Sequence, residues 1–213
     1  KKNLCGLDYA LANIHFPLDE RKFQEARYRL IYEELFYMQT ALLLSRDRFG
    51  KGTEGISFCG SVKGKDFIQG LPYPLTAAQK RVWADVEGDM ESARAMNRLV
   101  QGDVGSGKTV IAQAALYKAV KSGFQAAFMA PTELLAKQHL EALRADFAAH
   151  GICLGFLTGS LSSKEKKTVL ERLKNGEIDI AVGTHAILSE GVDFFNLGLV
   201  ITDEQHRFGV NQR

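Results

Sequence analysis

From Leu71 onward, short apolar runs alternate with longer segments whose apolar residues recur every three or four positions. The runs at 97–101, 125–130, 153–157, 178–182 and 198–202 predict strands, and Met96–Val100 belongs to the first of them. The segments at about 76–88, 108–122, 132–149 and 162–175 predict helices. Such alternation implies an α/β fold, because consecutive parallel strands need a crossover and the crossovers cover both sheet faces. Several helix ends are marked. Ser162-Ser163-Lys164-Glu165 reads as a capping box, and Gly123, Gly151 and Gly176 stand just past predicted ends.

The N-terminal third is patterned differently. Over 18–46, Phe23, Leu30, Ile31, Leu35, Met38 and Leu42 fall at helical spacing, with Glu20, Arg27, Glu34 and Arg46 among the polar positions. That predicts one long helix whose role is packing. In 50–70, Gly50, Gly52, Gly55, Gly60, Gly64 and Gly70 interrupt a weak pattern, which predicts an irregular connector.

Composition narrows the classes without choosing among them. Hydrophobic residues make up 46% and charged residues 24% of 213, as in an ordinary globular protein with a sizeable core. A formal net charge of +2 carries no argument for nucleic acid, so any such claim rests on local sites. Cys5, Cys59 and Cys153 form no C-x-x-C pair and read as reduced thiols of a cytoplasmic protein. The scattered histidines show no zinc-ligand spacing, and no apolar run reaches membrane length. Without an initiator Met, and with Arg213 following Glu204 so closely, the chain is expected to be a piece of something longer.

Two short strings carry chemistry. GDVGSGKT at Gly102–Thr109 fits the phosphate-binding loop G-x-x-x-x-G-K-[ST] between a predicted strand and helix. Gly102, Gly105 and Gly107 let backbone N–H groups of the loop, including those of Asp103, Val104 and Ser106, turn towards phosphates. Lys108 is expected at the β- and γ-phosphates of ATP, and the Thr109 hydroxyl as a ligand of Mg²⁺. DEQH at Asp203–His206 ends the last apolar run with adjacent carboxylates. Asp203 is expected to hold the magnesium, and Glu204 to orient and deprotonate the attacking water. Lys108 and Glu204 are therefore the candidate catalytic residues.

Other predicted strand ends carry APTELLAKQH at Ala130–His139, LTGS at Leu157–Ser160 and GTHA at Gly183–Ala186. Hydroxyls and N–H groups there suit nucleic-acid phosphates, although Thr132 equally fits a helix N-cap. Lys164, Lys166 and Lys167 read as a solvated helix face.

With LVQGDVGSGKT, MAPTELLAKQH, LTGS, VGTHAIL and ITDEQHRFGVNQR together, the chain resembles the DExH-box superfamily 2 helicases, and within them the RecG-type DNA helicases. Similarity is strongest over 71–213 and extends to ALANIHFP and ARYRLIYEELFYMQTALLL. The resemblance implies a RecA-like helicase lobe over 71–213 that stops after the acidic motif. It also implies a remnant of a wedge region at 1–16, a linker helix at 17–48 and an irregular linker at 49–70. It places Pro131, Thr132, Gln138, Thr158, Gly159, Thr184 and His185 in motifs that track a DNA strand, and gives Gln205 and His206 a coupling role. Gln79, in Leu75–Gln79, resembles an adenine-reading glutamine with Tyr73 stacked nearby, while Thr76-x-x-Gln79 is equally a capping box. The implied partners are branched or duplex DNA, a second RecA-like lobe and the wedge domain of the same parent chain, in a monomeric bacterial enzyme that remodels stalled forks. The alternatives are the motor of a transcription-repair coupling factor, or a nucleotide- or DNA-binding module that does not hydrolyse ATP.

Overall fold

A computed structural model of the chain describes residues 4–51, 55–62, 64–103 and 105–208 and divides into two compact units, 1–54 and 55–213.

The first unit is a helix pair. Helix α1 (Leu7–His15), which periodicity did not predict, leads through Pro17 into α2 (Glu20–Lys51). Asp19 caps α2 by accepting from the Lys22 N–H at 2.8 Å. The helices meet where Ala10 and Ala26 are fully buried, and the Tyr9 hydroxyl donates to Glu25 at 3.1 Å. The expected packing face of α2 is only partly covered: Phe23 and Leu30 are half-buried, whereas Leu35 is 51% and Leu42 57% exposed. Nine residues of α1 cannot reach along the 32 of α2.

The second unit contains a parallel sheet of order β2-β3-β1-β4, from β1 (Gln125–Met129), β2 (Leu154–Leu157), β3 (Ile180–Gly183) and β4 (Leu197–Thr202). Phe128 stands level with Val182 on one side and Ile201 on the other. Alternate residues feed two cores. Ala126 and Phe128 pack with α4 (Ala77–Glu91), α5 (Lys108–Lys121) and α6 (Glu133–Phe147), while Ala127 and Met129 pack with α7 (Ser163–Lys174) and the stretch around Ala186–Phe194. Helices thus cover both faces, as expected of this RecA-like arrangement. Both capping boxes form, at Thr76–Gln79 and Ser162–Glu165. Gly123, Gly151 and Gly176 all take positive φ at the predicted stops.

Two expectations are corrected. No strand forms over 97–101: residues 95–103 carry no regular structure, and Leu99 is 74% exposed. The run offers only Leu99–Val100 as adjacent apolar residues, and Arg98 is drawn to α4, pairing with Asp89 at 2.7 Å and Asp85 at 3.5 Å. The glycine-rich connector is also more than a connector. Its described part is tied to the end of α4 by Gly55 N–H to Ala93 O and Phe58 N–H to Met90 O, and it includes α3 (Lys65–Gln69). Phe58 and Phe67 enter the core at 5% and 2% exposure, because two large aromatic rings outweigh the glycines around them.

Candidate nucleotide and metal site

The phosphate loop leads straight into α5. Gly107, with φ 77°, caps the helix in the left-handed region, and Gly105 has φ 81°. A Cβ on Gly107 would lie 2.3 Å from Gln79 Nε2, the tip of a side chain that would have to move, while the positive φ itself favours glycine there. Gln79 Nε2 donates to Ser106 O at 3.0 Å, while its Oε1 accepts from Thr76 N at 2.8 Å. One amide therefore closes the α4 capping box and braces the phosphate loop, leaving one N–H and one lone pair of Oε1 for any adenine contact. Lys108 Nζ donates to Gly102 O at 2.8 Å and Asp103 O at 2.9 Å, within its own loop. Thr109 is exposed on the first turn of α5, Tyr73 is half exposed, and Val104 lies outside the described residues.

Topology brings this loop to the acidic pair. Helix α5 packs on β1 and β4 and ends just before β1 begins, so its N-terminus lies at the edge where parallel strands finish. At that edge Asp203 follows β4, and its N–H donates to Met129 O at 2.8 Å. Its two carboxylate oxygens have different partners. Oδ1 accepts from Glu204 N at 3.0 Å, and Oδ2 from His139 Nε2 on α6 at 2.8 Å. The His139 ring lies 4.7 Å from that of Phe128. Glu204 takes φ 46°, a conformation that costs a side-chain-bearing residue about 1–2 kcal/mol. Its carboxylate pairs with Arg207 at 2.7 Å, and an exposed Gln205 opens the following 3-10 turn. The His206 side chain lies outside the described residues.

The expected DNA-facing residues divide. Pro131 is half-buried, and Thr132, Gln138, Gly159 and His185 are exposed. Thr132 also caps α6, accepting from Leu135 N at 3.3 Å. Thr158 and Thr184 are only 1% and 6% exposed. The Thr158 hydroxyl is hydrogen-bonded to that of the exposed Ser160 at 3.1 Å, and these two side chains offer far less surface to a phosphate backbone than their neighbours do. Of the three lysines expected on a solvated face, Lys164 and Lys167 are exposed and Lys166 is half-buried.

Two participants escaped the sequence. His139 closes a string read for its threonine, and no spacing rule links it to a carboxylate 64 residues away. Lys118, in the last turn of α5, is fully buried: it donates to Glu91 at 2.6 Å, Val62 O at 2.8 Å and Glu87 at 3.3 Å, joining α5 to α4. The neighbouring pattern Val110–Ala119 reads as a core face, which is the only signal that this lysine points inward.

Comparison with known proteins gives a consistent result. The family described as DEAD/DEAH box helicase matches residues 76–213. The chain is similar to the ATP-dependent DNA helicase RecG of Thermotoga maritima, at 46% identity over 100% of this chain and 27% of the relative. It is also 47% identical to the RecG of Bacillus subtilis, over 96% of this chain and 30% of that one. A solved structure of RecG bound to a three-way DNA junction superposes with a TM-score of 0.83 at 44% identity, covering 98% of this chain and 28% of that one. The chain thus spans less than a third of the length of these relatives. Among the described residues no helix is long and apolar enough to cross a membrane.

Proposed function

Since the chain belongs to the DEAD/DEAH box helicase family, we propose that it is the ATP-binding motor lobe of a RecG-like DNA helicase. The observation that carries this reading is the shared strand edge: the phosphate loop at the start of α5 and the Asp203–Glu204 pair after β4 lie on one side of one sheet. Triphosphate fits the loop, where glycine N–H groups, the α5 dipole and Lys108 all favour an anion. Magnesium fits the available donors, the Thr109 hydroxyl and the Asp203 carboxylate, since this ion takes few protein oxygens and completes its shell with phosphate and water. When bound, it would neutralise charge developing on the phosphates.

The chain's own groups would do the rest. Lys108 would exchange its loop carbonyls for phosphate oxygens, and Glu204 would orient and deprotonate the attacking water. Gln79 would hold the loop against α4 through Ser106. DNA is carried over from the relatives named above, with Pro131, Thr132, Gln138, Gly159 and His185 as the surface that meets its backbone. The parent would then couple hydrolysis to movement on duplex or branched DNA, as a monomer in the bacterial cytoplasm, with a second lobe and a wedge domain in the same chain. Gln205 and His206 would transmit the nucleotide state to that second lobe.

Calorimetric titration with Mg²⁺-ADP tests the nucleotide reading. Lys108→Ala removes a charge-assisted contact worth about 1.5–3 kcal/mol, so affinity should fall about 10- to 100-fold. Equal affinities would contradict it.

A further inference from the structure

Asp203 does not stand alone at the end of β4. A carboxylate can only accept hydrogen bonds, so the 2.8 Å contact requires that His139 Nε2 carry the proton and donate it to Oδ2. Water competes weakly for this bond, because the His139 side chain is 18% and that of Asp203 36% exposed. The imidazole is itself held in place, by α6 on one side and the Phe128 ring on the other. With Glu204 N on Oδ1 and α6 holding Oδ2 through His139, both carboxylate oxygens have a donor, and the group cannot rotate freely about its last bond. The free lone pairs then point in a set direction.

We propose that His139 is a positioning residue for the divalent cation: it fixes the Asp203 carboxylate in the orientation that holds the ion, and it ties that orientation to α6. This rests on the nucleotide-site reading above and adds a residue to it. Helix α6 is capped by Thr132, on the surface assigned to DNA, and its first residue Glu133 is hydrogen-bonded to Ser160 of the LTGS turn. His139 lies two turns further along. A shift of this helix on DNA would therefore move the imidazole against Asp203, and α6 becomes a physical connection between the two sites.

The test separates ion binding from packing and from nucleotide binding. Mn²⁺, which is paramagnetic, replaces Mg²⁺, and its affinity for the ADP-loaded 213-residue chain is read by electron paramagnetic resonance. ADP affinity in chelator is measured alongside. His139→Phe keeps a ring against Phe128 but removes the donor, and His139→Gln restores an N–H close to the place of Nε2. Orienting hydrogen bonds to metal-ligating carboxylates are typically worth 10- to 100-fold in affinity. The phenylalanine variant should bind Mn²⁺ about 10-fold more weakly, with metal-free ADP affinity unchanged, and the glutamine variant should recover most of the loss. If His139→Phe does not fold, His139→Leu is read in the same way. Unchanged Mn²⁺ affinity without the donor would overturn the proposal, as would a parallel loss of metal-free ADP affinity or a failure of glutamine to rescue. A wild-type chain that binds no ADP would instead overturn the nucleotide-site reading, and this inference with it. A wild-type chain that binds ADP but no Mn²⁺ would overturn the positioning role alone.

Discussion

The Glu165 carboxyl is held below the usual carboxylate range, first by the Ser162 hydroxyl at 2.5 Å and then by the Ser162 N–H at 3.0 Å. A carboxyl whose folded value is depressed stabilises the protein at pH above its unfolded value, and that contribution is lost as pH falls through the folded value. Glu165→Gln should therefore flatten part of the acid limb of stability against pH. Ser162→Ala should raise the Glu165 titration midpoint towards its ordinary value, observed by NMR. An unmoved midpoint would show that the capping box does not bind the carboxylate in solution. Glu204 makes the same point about backbone. Its left-handed φ places a side-chain-bearing residue where glycine is favoured, and the strain falls at the residue proposed to handle water.

Among the elements, α4 and α5 form the frame of the phosphate loop and are joined at both ends. Gln79 meets Ser106 at one end, and Lys118 meets Glu87 and Glu91 at the other. Lys118→Ala would remove the contacts that its ammonium makes with Glu87, Glu91 and the Val62 carbonyl. The expected cost is about 3 kcal/mol, seen as a lower urea midpoint with an unchanged slope, and Lys118→Met should cost less by keeping the packing. A midpoint equal to wild type would mean that the cluster is not formed.

How much of this was legible follows from the range of each interaction. The capping boxes, the glycine stops, four strands and the two chemical strings depend on neighbours a few residues apart, and their spacing shows in the sequence. The strand expected at 97–101 did not form because pairing needs a partner alongside, which local pattern cannot supply. Phe58 and Phe67 were hidden by the glycines between them, although burial of an aromatic ring decides packing more strongly than local chain freedom. His139 and Lys118 act across 64 and 27 or more residues, and the burial of Thr158 and Thr184 depends on tertiary packing around the strand ends. Apart from the apolar pattern around Lys118, none of these leaves a local signature.

At the scale of the whole molecule, the proposed function has the lobe supply a phosphate loop, an acidic pair and an exposed strand-end surface, all where the parallel strands finish. Phosphoryl transfer also needs positive charge on the transition state. In this account Lys108 and magnesium provide only part of it, and an arginine of the second lobe provides the remainder. Lacking such a residue typically costs about 10³–10⁵ in rate, or roughly 4–7 kcal/mol of barrier. The carboxylates cannot compensate, since they add negative charge where positive charge is required. The most direct measurement is phosphate release, with and without forked DNA, from the 213-residue chain and from a parent extended to the length of the relatives. The extended protein should hydrolyse ATP in a DNA-stimulated way that Glu204→Gln abolishes, while the 213-residue chain should turn over negligibly and ignore DNA. DNA-stimulated turnover that survives Glu204→Gln in the extended protein, or that the single lobe sustains at about one per second, within the ordinary range of such enzymes, would contradict the account.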